Sequence, residues 1–210
     1  MTDYDEERGA LVDSLLERGY VESDPVERAM RSVRRENFVP DDAGGRVYQD
    51  APLPIGEGQT VSAPHMVAMI TERLELSEGD ETLEIGTGRG YHAAVVAEVV
   101  GPENAYTVER QEKLAREARE NLPEGVTVVV GDGSKGLPKH APYDRIYLTC
   151  AAPNVPDFVD EQLRDGGRAV LPTESGRNQR LTTVEKHDGD LSFEEGEPVR
   201  FVRMYGEEGF

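Results

Sequence analysis

Three glycines at alternate positions stand in the run Leu83-Glu84-Ile85-Gly86-Thr87-Gly88-Arg89-Gly90-Tyr91. The run follows a short apolar segment and opens a helical one. It therefore reads as a strand-to-helix turn whose backbone a ligand can approach where side chains would block it. Taken alone, such a loop is only a tight turn. Two acids extend the reading. Glu109 closes the next apolar strand, nineteen residues beyond Gly90, where a carboxylate can accept hydrogen bonds from both hydroxyls of a ribose. Asp132 follows the strand after that, in Gly131-Asp132-Gly133. Each acid has a plainer role available, Glu109 as a charge at a helix N-terminus and Asp132 as a turn residue. All three in register point to a nucleotide-type cofactor. A dinucleotide fingerprint starting at Gly86 would need glycine or alanine at position 91, and Tyr91 stands there instead.

Other reactive arrangements are weaker. A serine hydrolase wants G-x-S-x-G, and Asp132-Gly133-Ser134-Lys135-Gly136 lacks the first glycine. His65 lies one helical turn from Ser62, which invites a Ser–His pairing. No third member is apparent, and His65 also reads as a pocket-lining or capping residue. His92, His140 and His187 are scattered and read as solvated. No Cys/His cluster has zinc-ligand spacing, so no metal is expected, and the single cysteine, Cys150, cannot pair within the chain.

The elements that must carry these residues alternate. Residues 5–35 read mainly as helix, with Leu11, Leu15 and Leu16 on one face and Val26, Met30 and Val33 on another. A Pro/Gly-rich stretch from Pro40 to Gly58 reads as ordered loop. Ala63–Leu76 returns to helical spacing, with Ser62 as N-cap and Pro64 in the first turn. Strands are expected at Thr82–Ile85, Ala105–Val108, Val126–Val130, Arg145–Thr149 and Ala169–Leu171, with helices through Val100, over Gln111–Asn121 and over Pro156–Leu163. Strand–helix alternation of this kind argues an α/β fold, a parallel sheet covered on both faces. Arg180–Lys186 and Pro198–Tyr205 look like an antiparallel pair. At 210 residues the chain fits one domain, a helical and loop segment over 1–62 leading into a cofactor-binding core over 63–210.

Composition narrows the partners. Acids number 42 against 23 bases, a formal net charge of −19, and only four of the bases are lysines. Such self-repulsion is tolerable in concentrated salt, where the Debye length falls to about 3 Å at 1 M. The balance suggests a protein of a high-salt cytoplasm and argues against nucleic acid as a partner. No apolar run approaches membrane-spanning length, since the longest, Ala93–Val100, is interrupted by Glu98. The first twenty residues have no apolar core and do not read as a secretory signal. A cytoplasmic setting and a monomer are expected.

The run E-x-G-x-G-x-G resembles motif I of the class I methyltransferases, a Rossmann-like fold that binds S-adenosylmethionine. The segment Asp50-Ala51-Pro52-Leu53-Pro54-Ile55-Gly56-Glu57-Gly58-Gln59-Thr60-Val61-Ser62 closely resembles the characteristic loop of the protein-L-isoaspartate O-methyltransferases. Arg35-Glu36-Asn37-Phe38-Val39-Pro40 before it is similar to the same family. So are Ala141-Pro142-Tyr143-Asp144, Ala151-Ala152-Pro153, Gly166-Gly167-Arg168 and Val199-Arg200-Phe201-Val202 after it. The resemblance implies methyl transfer from S-adenosylmethionine to the free α-carboxylate of L-isoaspartyl residues in damaged proteins. It implies a cofactor site of Glu84, Gly86, Thr87, Gly88, Gly90, Glu109, Asp132 and Gly133, with Gln59, Thr60 and Val61 beside it, and it makes Ser62 the active-site residue. Two positions depart from the family pattern: Arg89 stands where serine is common, and Arg203 where proline is usual. A transfer-RNA methyltransferase shares the core but would need a basic face for phosphates. A relative that binds the cofactor without turnover is the other alternative.

Overall fold

The computed structural model describes residues 4–210. Helices α1 (Tyr4–Glu17) and α2 (Asp24–Ser32) open the chain. Their apolar stripes, Leu11 and Leu15 on one and Val26 and Met30 on the other, are buried in a cluster with Val67 and Ala68 of α3 (Pro64–Leu74) and Val95 of α4 (Tyr91–Val100). Each such fully buried aliphatic side chain contributes roughly 1.5–3 kcal/mol. The expected loop from Pro40 to Gly58 contains a 3-10 segment (Asp41–Arg46) and the strand β1 (Leu53–Gly56), which pairs with β2 (Gln59–Val61) in a short hairpin. Leu53 and Ile55 alternate inward there, but the strand has only four residues, two of them the poor strand formers Pro54 and Gly56.

Seven strands form one sheet in the order β5-β4-β3-β6-β7-β8-β9. β3 (Thr82–Ile85), β4 (Ala105–Glu109), β5 (Thr127–Val130), β6 (Tyr143–Leu148) and β7 (Leu163–Ser175) run parallel, as the strand–helix alternation requires. Both faces are covered, and the period of two sorts the side chains between them. Ile146, Leu148 and Leu171 pack with Phe158 and Val159 of α6 (Asp157–Gln162). Tyr147 and Val170, one residue out of step, pack with Ile70, Leu74, Val96 and Val100 of α3 and α4. Helix α4 is buried on nearly every side because it lies between the sheet and α2. Glu98, the acid that interrupts its apolar run, is exposed.

The C-terminal region departs from expectation. β7 antiparallel to β8 (Asn178–His187) and β8 antiparallel to β9 (Asp190–Val199) give the expected antiparallel ending. However, β9 begins directly after a two-residue turn, Asp188-Gly189, in which both residues have positive φ. The strand expected over Pro198–Tyr205 therefore ends at Val199. β9 carries no alternating signal because it is an edge strand with exposed Phe193, Glu194, Glu195 and Glu197 and no buried face to impose alternation. Residues 200–210 form a tail that crosses back over the sheet's parallel half.

Candidate active site

β3 lies at the centre of the parallel half, with β4 on one side and β6 on the other, so the chain reverses its direction of sheet growth there. Ligands in such sheets bind beyond the strand C-termini at that point. Gly86 and Gly88 follow β3 with φ of 102° and 56°. A Cβ at Gly86 would overlap the Thr149 hydroxyl, and one at Gly88 would lie 3.1 Å from Ile55 Cδ1. The backbone thus makes a cradle that side chains would fill. Gly90 caps α4 in the left-handed region, outside the lining of the cleft, where a Cβ would meet Leu122 at 2.9 Å.

Two cavities are lined by this loop, and a third adjoins them. The first is lined by Gln59, Thr60, Gly86, Gly88, Glu109 and Gly133, together with Arg110, Ser134, Cys150 and the tail residues Val202–Tyr205. The second is lined by Val61, Ser62, Glu84, Thr87, Arg89 and His92. The third, about 450 Å³, is lined by Ser62, Ala63, His65, Met66, Arg200 and Phe201 among others. Thr60 and Thr149 line all three, and Ser62 lines the second and third.

Glu109 is buried at the end of β4. Its Oε2 accepts from the Gly88 N–H (2.9 Å) and its Oε1 from the Gln111 N–H (2.9 Å), which ties the glycine loop to β4. A carboxylate has about four acceptor sites, so both oxygens keep capacity for a ligand's hydroxyls. Glu84 is buried on β3. Thr107 Oγ1 donates to its Oε2 (2.5 Å), Thr87 Oγ1 lies 2.5 Å from Thr107 Oγ1, and Glu84 Oε1 has no partner among the described residues. Burial pushes the Glu84 carboxyl up to about 8, aided by Glu109 and opposed by Thr107 and Tyr147. Next to it His92, expected in solvent, is 5% exposed because α4 turns it inward. Its Nε2 meets Thr71 Oγ1 at 3.1 Å, its ring lies 4.6 Å from that of Tyr147, and burial lowers its pKa to about 3.

Asp132 is outside the cleft's lining. Its Oδ1 accepts from the Ser134 N–H (2.8 Å) and its Oδ2 from the Glu207 N–H (2.9 Å) of the tail. These bonds outweigh burial and hold its pKa below the ordinary carboxylate value. Its neighbours Gly133 and Ser134 reach the cavity instead. Tyr205 of the tail lies under the Arg110 guanidinium, 5.2 Å from ring centre to charge. Burial raises the Cys150 thiol to about 12, so it lines the cleft as an apolar group.

Ser62 does not cap α3. The N-cap is Ala63, and the His65 N–H is taken by Asp50 Oδ1 at 2.9 Å. The same oxygen lies 2.7 Å from His65 Nδ1, and Asp50 Oδ2 pairs with Arg18 at 2.7 Å. The cap thus comes from a distant aspartate, and the serine hydroxyl is released from that duty. Arg35, 0% exposed, fixes the loop from behind by donating to the carbonyls of Ser62 and Ala51, both at 3.1 Å, and stacking over Tyr91. Arg89, whose charge stood in the glycine loop, is neutralised by Glu117 of α5 (Glu112–Asn121) at 3.1 Å. Thr149, Arg110 and the tail carry no motif that spacing alone could flag.

The sequence model of the family described as protein-L-isoaspartate(D-aspartate) O-methyltransferase matches residues 6–209. A protein-L-isoaspartate O-methyltransferase of Methanothermobacter thermautotrophicus is 50% identical over 213 residues, covering 98% of each chain. One of Hyperthermus butylicus is 48% identical, covering 98% of this chain and 91% of its own. Among solved structures, a protein-L-isoaspartate O-methyltransferase superimposes with a TM-score of 0.89 at 33% identity, over 96% of this chain and 67% of that one. A Plasmodium falciparum candidate for the same activity, in complex with S-adenosyl-L-homocysteine, shares the fold with a TM-score of 0.85 at 23% identity, over 98% and 99%.

Proposed function

Because this chain belongs to the protein-L-isoaspartate(D-aspartate) O-methyltransferase family, we propose that its three cavities divide one reaction among them. That reaction transfers a methyl group from S-adenosylmethionine to the free α-carboxylate of L-isoaspartyl residues in damaged proteins and so begins their repair. The residues of the first two cavities fit the cofactor: a glycine cradle open to close approach, a Glu109 carboxylate with spare acceptor capacity, and Glu84 lining the second cavity with one buried oxygen unpartnered. In this reading Gln59, Thr60, Val61, Gly86, Thr87, Gly88, Gly133 and Glu109 hold it, Glu84 faces its charged end, and Gly90 and Asp132 act by shaping the helix start and the tail. When bound, the cofactor supplies an electrophilic sulfonium methyl.

The observation that carries the assignment is the meeting point. Thr60 and Thr149 border all three cavities, so reacting groups from the first two and the third converge there. The third cavity is free of Asp and Glu among the described residues, although acids make up 42 of 210 positions. That is the electrostatics an anionic acceptor requires. A carboxylate is already ionised at neutral pH, so no general base is needed, and the chain's task is to align and desolvate it. Ser62, uncapped and shared by the second and third cavities, donates to one acceptor oxygen and leaves the other free to attack. Residues 1–62 and 63–210 work as one domain, since Arg35 and Asp50 from the first part set Ser62 and α3.

Ser62→Ala tests this. Loss of one bond to a charged group costs roughly 1.5–3 kcal/mol, about a 10- to 100-fold fall in kcat/KM. The cofactor Kd, read by calorimetry, should stay within a few-fold. Unchanged peptide kinetics in a folded variant would make Ser62 a structural residue, and a collapse of cofactor binding would assign it to the wrong ligand. The net charge of −19 further supports a high-salt cytoplasm and a partner other than nucleic acid. Among the described residues no helix is long and apolar enough to cross a membrane.

A further inference from the structure

The acceptor cavity carries a guanidinium that the methyl-transfer reaction does not use. Arg200 lines the cavity, is exposed, and has no ion-pair partner among the described residues. Two arginines of the neighbouring segments are engaged where Arg200 is not. Arg180 pairs with Glu195 at 3.6 Å and Arg203 with Glu174 at 3.2 Å.

The backbone beside Arg200 is fixed on both sides. Val199 is the last residue of β9 and pairs in register with Gln179. Phe201 is then gripped by the same glutamine: its N–H donates to Gln179 Oε1 at 2.6 Å and its carbonyl accepts from Gln179 Nε2 at 3.2 Å. A free guanidinium therefore rises from a held backbone, in a cavity whose other titratable side chain, His65, is held by Asp50. With the backbone fixed, ordering on binding is confined to the Arg200 side chain itself.

We infer that Arg200 is a specificity-determining residue that takes a second carboxylate of the substrate, carried next to the isoaspartyl residue and distinct from the one methylated. This rests on the reading of the third cavity as the acceptor site. Two sources share the chemistry, an acidic side chain in the flanking sequence and a free peptide C-terminus. A guanidinium receives either in bidentate fashion. The acceptor carboxylate itself is a poor candidate for Arg200, because Ser62 serves its non-attacking oxygen in this reading and a cation bonded to the attacking oxygen would lower its nucleophilicity.

The test is steady-state methylation of L-isoaspartyl peptides at one fixed salt concentration. One peptide has neutral flanks and an amidated C-terminus, one adds a flanking glutamate, and one has neutral flanks with a free C-terminus. In the wild type at least one acidic peptide should exceed the neutral one in kcat/KM by roughly three- to tenfold, with the gain in KM. The glutamate and free-terminus arms identify which source is used. In Arg200→Gln that ratio should fall to about one, and Arg200→Lys should restore part of it. Circular dichroism checks that each variant is folded. No preference in the wild type, or the same preference in Arg200→Gln, overturns the inference while leaving the methyltransferase reading intact. Failure of the wild type to methylate all three peptides overturns both.

Discussion

At the scale of single residues, the chemistry is set by which polar groups are already occupied. Asp50 takes the cap that Ser62 was expected to supply, and Asp132 spends both oxygens on backbone amides. Glu109 keeps acceptor capacity, and Glu84 keeps a bare oxygen. Glu84 also gives a pH signature. Its folded carboxyl titrates at about 8, against about 4.3 for an ordinary glutamate. The folded state therefore holds a proton that the unfolded chain releases. The stabilisation is fully present below pH ~4.3, is lost as pH rises toward 8, and is constant above that. Without cofactor, the melting temperature of Glu84→Gln should gain on the wild type between pH 5 and 8. Parallel melting curves over that range would place an ionised glutamate there instead. The glycine loop and Glu109 were legible because residue type and spacing define them, and the Asp50–Ser62 segment through its resemblance to the family's characteristic loop. The burial of His92 and the capture of Asp132 by the tail were not, since both depend on what the fold brings from afar.

At the scale of elements, the parallel core could be read from its periodicity and its ending could not. β3, β4 and β5 alternate with the apolar α4 and the amphipathic α5, so a sheet covered by helices was the simplest solution. β9 is an exposed edge with acidic residues on it, and the tail after it has no repeat at all. That tail nonetheless closes the first cavity. Glu207 and Glu208 donate from their backbone N–H groups to Asp132 and Ser134, and Lys135 pairs with Glu207. A Cβ at Gly206 would overlap Asp132 Oδ1 and lie 2.5 Å from Ser134 Oγ. Gly206→Ala should therefore lift the tail and weaken S-adenosylmethionine binding. Asp132→Ala should weaken it by a similar factor, because it cuts the same anchor. The combined variant should be little worse than either. Additive losses in calorimetry would mean that Asp132 touches the ligand independently of the tail.

At the scale of the whole molecule, charge governs. Fifteen ion pairs of Lys or Arg among the described residues, mostly exposed at one partner or both, leave a net charge of −19. Exposed pairs contribute little individually. Repulsion among the surplus acids should be relieved as salt shortens the Debye length from about 10 Å at 0.1 M to 3 Å at 1 M. Melting temperature and activity should rise together across a potassium chloride series, and a flat or falling series would remove the case for a high-salt origin. Total charge was plain from composition. The acid-free acceptor cavity was not, because it collects residues from the loop before α3 and from the end of β9. Its meaning can be tested directly. Two peptides identical except for an L-isoaspartyl or an L-aspartyl residue are incubated with radiolabelled S-adenosylmethionine in molar potassium chloride. The account predicts label on the isoaspartyl peptide alone, released as methanol in mild base. Equal labelling of the two peptides, or labelling of neither by folded protein that binds the cofactor, would contradict it.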